Sequence, residues 1–224
     1  TTLGADDGIA VAMAMALLDD EKAVHPPLEV VITTDEEVGM LGAANLDATL
    51  IEGRRLLNID SEEEGIFTVG CAGGVKTESE IPVEFVKPCY DKFARIVVTN
   101  LEGGHSGIDI NKERANANKI MARVLDRIMS GEKAQICSIK GGAKDNAIPR
   151  YGEAVVCCGD IGSLEATVNI IKEEIRAEYA LTESNIEIST EEVEICDNVF
   201  SENSAKKVLT AILLMPNGVQ SMNL

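Results

Sequence analysis

Residues 28–37 read Leu-Glu-Val-Val-Ile-Thr-Thr-Asp-Glu-Glu, an apolar, β-branched run that stops abruptly in three acids. Such runs belong in strands covered on both faces, where nothing favours alternating polar with apolar residues. Leu56-Leu-Asn-Ile59 is a second run of this kind, and it also ends in an acid, Asp60. Upstream, residues 8–19 (GIAVAMAMALLD) carry apolar side chains on nearly every side, the pattern of a buried helix, and His25-Pro26-Pro27 then breaks the chain. Helix, strand, linker and strand predict an α/β layer with a mostly parallel sheet. Ligands in such sheets sit beyond the carboxyl ends of the strands.

From about Gly73 the texture changes. Ile81–Val86 and Ala94–Thr99 alternate apolar and polar residues, which predicts a sheet with one wet face. A helix follows at roughly 112–129, strands near 134–140 and 152–159, a helix at roughly 161–180, a strand near 185–193 and a helix near 201–214. That order predicts an α+β, ferredoxin-like unit. Residues 1–73 are expected to form one domain and 74–224 a second.

The chain has 224 residues, 45% of them hydrophobic, enough for a substantial core. Its 20 Lys+Arg against 38 Asp+Glu leave a net charge of −18, which argues against a surface that tracks nucleic-acid phosphates. The longest apolar run, Ile9–Leu18, is ten residues, about half of what a membrane-spanning helix needs. The six cysteines show no CxxC spacing and are expected as buried free thiols in a reducing, cytoplasmic setting. Neither nucleic acid nor membrane is an expected partner.

Three acidic clusters carry the chemistry: Asp6-Asp7, Asp35-Glu36-Glu37 and Asp60-Ser-Glu62-Glu63-Glu64. In a chain this acidic they could be solvated turns. Each, however, precedes a helix or follows a strand, so all three can converge on one rim of the sheet. Converging carboxylates repel one another unless a cation neutralises them, and oxygen ligands alone suit magnesium or calcium better than zinc.

Taken together, TTLGADDGIAVAMA, TTDEEVGMLGA, LNIDSEEEG with GCAGG after it, EGGHSG, GGAKDNAIPR and LMPNGV resemble, in order, the blocks of the aminoacylase and carboxypeptidase family of two-zinc metallopeptidases. Within it the pattern resembles the dipeptidases that release a C-terminal histidine. The resemblance implies a zinc-exopeptidase-like catalytic domain, partial here, and a lid that ends early. It implies hydrolysis of dipeptides such as β-alanyl-histidine by a water activated between two divalent metals, zinc first, with manganese or cobalt as alternatives. Asp6 then corresponds to the carboxylate bridging both metals, Glu37 and Asp60 to terminal metal ligands, and Glu36 to the general base. Asp7 corresponds to the neighbour that follows a strained peptide and supports the site. His105 matches a lid histidine that reaches the reacting carbonyl, and Asn146 a lid asparagine that holds substrate.

The family pattern also has a His-x-Asp strand before the first of these blocks and a metal-binding histidine after the last. The chain therefore resembles an internal segment, expected to be inactive by itself and, through exposed sheet edges, prone to pair with itself as a homodimer.

Plainer roles exist for most of these residues. Asp7 could simply cap a helix, Gly103–Gly107 could be a glycine-rich turn, and Asn146 could shape a loop. Glu62, Glu63 and Glu64 suit a solvated turn, Cys157-Cys158 suit a core, and His25 suits a structural role. Other functions compatible with the sequence are a deacylase or tripeptidase of the same fold, a non-catalytic binding or dimerisation module, and an N-terminal nucleophile enzyme built on Thr1.

Overall fold

The computed structural model describes residues 6–61, 63–71, 73–194 and 196–222. It divides into two compact units, residues 1–76 and 77–224, and the architecture is mixed α/β.

The first unit contains helix α1 (Gly8–Asp19), a short helix α2 (Leu41–Ala44) and a 3-10 turn at Ala48–Leu50. Asp7 starts α1 by accepting the Ala10 N–H at 3.1 Å, leaving one fewer orphan donor at the helix end. Asp47 starts the 3-10 turn through the Thr49 N–H at 2.9 Å. Two expectations fail in this unit. None of the residues of α1 is buried. The runs 28–33 and 56–59 form no strand, and Leu28, Val30, Val31, Ile32, Leu56, Leu57 and Ile59 are exposed. The physical reason is that a strand exists only through its neighbours. Apolar β-branched residues favour extended backbone, but among the described residues none pairs with these runs.

The second unit opens with β1 (Phe85–Val86), β2 (Lys92–Thr99) and β3 (Gly104–His105), followed by helix α3 (Ala117–Gly131). Next come β4 (Ala134–Gly141), β5 (Ala147–Ile148), β6 (Gly152–Cys158) and helix α4 (Ile161–Glu178). It closes with β7 (Glu187–Glu192), β8 (Val199–Phe200) and helix α5 (Glu202–Leu214). The main elements fall close to the predicted ranges. Four strands form an antiparallel sheet in the order β4-β6-β2-β7, threaded β-α-β-β-α-β through α3 and α4.

Period decides this half. In α3, Ala117, Ile120, Met121, Val124, Leu125 and Ile128 recur at three- and four-residue spacing and are all buried. In α4 the same stripe is Leu164, Val168, Ile171 and Ile175. Both stripes close on Ala94, Ile96 and Val98 of β2 and on Ala154 and Val156 of β6. Each large aliphatic side chain buried there contributes roughly 1.5–3 kcal/mol. Side-chain caps start all three helices, from Asn116, Asp160 and Ser201.

The opposite face of the sheet is not simply wet, as the alternation predicts. Along β2, Arg95, Val97 and Thr99 are half-buried, but Phe93 lies in a second cluster with Cys137, Cys157 and Val199. Val199 belongs to the short β1–β8 ribbon. Cys137 sits at a bulge in β4, where the register with β6 shifts between Ile136 and Ser138. Cys137, Cys157 and Cys158 are buried as expected, whereas Cys71 and Cys89 are exposed and Cys196 is half-buried.

Candidate functional site

The first unit carries the acidic residues. Asp6 is exposed and is joined to Asp7 by a cis peptide bond. While Oδ1 of Asp7 caps α1, its Oδ2 is buried with no hydrogen-bond partner among the described residues. Glu36 and Glu37 occupy a turn closed by the Gly39 and Met40 N–H groups donating to the Glu36 carbonyl at 3.1 and 3.0 Å. The turn doubles back so tightly that a Cβ on Gly42 would stand 2.5 Å from the Thr34 carbonyl oxygen, which only glycine tolerates.

Asp60 reveals which of these groups meet. Its carboxyl is held above the ordinary carboxylate range, first by the negative charge of Asp6, then by partial desolvation, by Asp7 and by Glu37. Asp6, Asp7 and Glu37 therefore each lie within electrostatic reach of Asp60. Glu36 shares the turn with Glu37 but is not among the groups acting on Asp60. Among the described residues, no group of three or more His, Cys, Asp or Glu side chains is placed to hold a metal ion. In chemistry the set nonetheless fits a divalent cation. Like charges lie near Asp60, and a buried carboxylate oxygen of Asp7 has no partner among the described residues. Asp7 thus both caps a helix and acts on the Asp60 carboxyl. Glu63 and Glu64 are exposed turn residues as expected, while Glu62 and Thr1 lie outside the described residues. His25 is exposed, its Nδ1 2.7 Å from the neighbouring Pro26 carbonyl, a local contact that suits the structural role.

The second unit carries His105 and Asn146. Strands β3 and β5 pair His105 with Ala147, and the Ser106 N–H donates to the Asn146 carbonyl at 2.9 Å. The two residues, distant in sequence, are thereby brought side by side. The His105 loop is tied to itself. The His105 backbone N–H donates to Asp109 Oδ2 at 2.8 Å, and Arg114 Nη1 donates to the Gly103 carbonyl at 2.6 Å. The Asp109 carboxyl is held below its usual range, chiefly by its hydrogen bond from Lys112. Gly103 and Gly104 have φ of +65° and +137°, and a Cβ on Gly104 would stand 2.7 Å from Asp109 Oδ2. The first two glycines of EGGHSG are thus required by backbone shape.

The ring of His105 is in a defined state. Its Nδ1 receives the backbone N–H groups of Gly107 at 3.0 Å and Ile108 at 3.2 Å. A nitrogen that accepts two N–H donors cannot carry a proton, so in the neutral ring the proton is on Nε2. His105 is exposed and presents that Nε2–H as a hydrogen-bond donor, the group a developing oxyanion needs. Asp109 and Arg114, which shape this loop, were missed in the sequence reading. The only sign of Asp109 was its place four residues after His105. A groove of about 550 Å³ on the second unit is lined by Arg95, Cys137, Glu153 and Cys196 among others and includes neither His105 nor Asn146.

The chain is similar to known peptidases along its length. Residues 98–187 match the family model of the peptidase dimerisation domain. Along 98% of its length the chain is 36% identical to the cytosol non-specific dipeptidase of Escherichia coli, covering 46% of that protein. The crystal structure of aminoacylhistidine dipeptidase from Vibrio alginolyticus matches 100% of the chain and 46% of its own, with a TM-score of 0.75 and 35% identity. The chain spans about half the length of these relatives, and its resemblance to the dipeptidases holds from end to end.

Proposed function

We propose that the protein carrying this chain is a cytoplasmic, metal-dependent dipeptidase acting on Xaa-His-type dipeptides such as β-alanyl-histidine. The observation that carries this reading is the match of two dipeptidases to almost every residue of the chain. The converging carboxylates support it. Asp6, Glu37 and Asp60 would hold two divalent ions, zinc before manganese or cobalt. Bound there, the ions would polarise the scissile carbonyl and acidify water. Glu36 would serve as general base toward the attacking water, and the Nε2–H of His105 would donate to the carbonyl oxygen as charge develops on it. Asn146, beside His105, would help hold the substrate.

We read the first unit as part of a zinc-exopeptidase-like catalytic domain. The β-α-β-β-α-β order supports reading the second as a ferredoxin-like lid. The match to a dimerisation domain further favours a homodimer formed through the lid. Among the described residues no helix is long and apolar enough to cross a membrane.

The test is zinc content and hydrolysis of β-alanyl-histidine, measured on this chain and on a protein of the relatives' length. Activity with about two zinc ions in the longer protein, lost in Glu36→Gln, is the expected result. A longer protein that binds no metal and cleaves no dipeptide would sink the proposal and leave an assembly module in its place.

A further inference from the structure

We infer that Glu183 is a positioning residue for His105, clamping both ends of the loop that carries it. This deepens the proposed function and rests on His105 acting at the substrate carbonyl. Glu183 lies in the turn between α4 and β7, far in sequence from the loop, and is only 1% exposed. Its Oε2 accepts the N–H of Glu102 and its Oε1 accepts the N–H of Ala115, both at 2.8 Å. These two amides bracket residues 103–114, the whole segment that holds Gly103, Gly104, His105, Asp109 and Arg114.

The chemistry of the clamp is specific. Burying a carboxylate is costly unless both oxygens are satisfied, and here each oxygen takes one backbone donor, from opposite ends of the same loop. The bases of the loop are also packed, since Leu101 and Ala115 are buried. Between base and ring lie Gly103 and Gly104, both at positive φ, which resist rotation less than any other residue. With the bases pinned, the Asp109 and Arg114 contacts fix the ring with Nδ1 on the Gly107 and Ile108 amides. With the bases free, the two glycines let the loop swing, and the Nε2–H loses its direction.

Glu183→Gln tests this, because an amide offers one acceptor and turns a donor toward the other N–H. In the 224-residue chain, helical circular dichroism should be retained while the Glu102 and Ala115 amides exchange at least about tenfold faster. The ring-nitrogen NMR signals of His105, assigned by their loss in His105→Gln, should change from a single Nε2–H tautomer to an average of both. In a protein of the relatives' length, kcat for β-alanyl-histidine should fall about 10²-fold with KM within about twofold. A variant that only melts earlier, with wild-type ring signals and exchange, overturns the inference. If Glu183→Gln does not fold, the wild-type chain decides. Glu102 and Ala115 amides exchanging as slowly as those of Ile96 and Val98 support the clamp, and exchange as fast as at Gly107 refutes it. Absence of dipeptide hydrolysis in the wild type would sink the proposed function alone, because ring state and exchange judge the clamp without any turnover.

Discussion

Val30-Val-Ile-Thr33 and Ile96-Val-Val-Thr99 contain the same four residues in different order, yet they meet opposite fates. Ile32 is 66% exposed in an unpaired segment, and Ile96 is 0% exposed in a central strand. Truncating each to alanine removes the same three carbons. For Ile96 the transfer contribution is about 0.8 kcal/mol per methylene, or ~2.4 kcal/mol. Beneath α3 and α4 the vacated space cannot collapse fully, so the total should reach about 3–4 kcal/mol. For Ile32 only about a third of the transfer contribution applies and no cavity forms, so the loss should stay below about 1 kcal/mol. Urea titration of the 224-residue chain, followed by circular dichroism, reads both. At a slope near 2 kcal/mol per molar, Ile96→Ala should lower the midpoint by about 1.5–2 M. Hydrogen exchange in α1 reads any loss confined to the first unit. An Ile32→Ala variant that costs more than about 2 kcal/mol by either measure would refute the assignment of that run as unpaired and exposed.

Gly104→Ala should lose about 1–3 kcal/mol, from forcing a side chain to φ +137° and against Asp109, and should shift the His105 ring signals while leaving sheet amides protected. Lys172 and Arg176 hold the Glu187 carboxyl below its ordinary value, the Lys172 hydrogen bond being the largest cause. A group depressed on folding contributes its stability above its unfolded pKa and loses it as the pH falls through the folded one. Glu187→Gln should therefore cost about 0.5–1 kcal/mol at pH 7, the range of a part-exposed pair, and nothing at pH 2, as thermal melts at the two values would show. Burial pushes the Cys137 thiol up, out of the range where thiolate forms at neutral pH. Iodoacetamide with mass mapping should label Cys71 and Cys89 quickly, and Cys137, Cys157 and Cys158 only after unfolding.

The second unit was legible where local pattern and tertiary packing agree. The stripe of α3 and the alternation of Ala94–Thr99 each name the face that the structure buries. In the first unit the apolar runs named a residue type and not a partner. Extended backbone becomes a strand only when another segment offers its N–H and carbonyl groups, information that lies outside the run itself. The acidic residues were legible as a group, and the raised Asp60 carboxyl reports the negative charge of Asp6, Asp7 and Glu37 near it. Glu183 was not legible. Its partners lie 81 and 68 residues away, and nothing in Leu-Thr-Glu-Ser separates it from the chain's many solvated glutamates. The tautomer of His105 was equally hidden, because two backbone amides set it.

Adjacent Cys157 and Cys158 point to opposite sides of β6, one under the β1–β8 ribbon and the other under the helices. The strand is therefore marked with one thiol per side, and a slip of a single residue would exchange them. Two neighbouring sulfur atoms thus make a strand-register gauge. Differential labelling of the pair during refolding would show when β6 commits to its final alignment, without any residue of the chain being replaced.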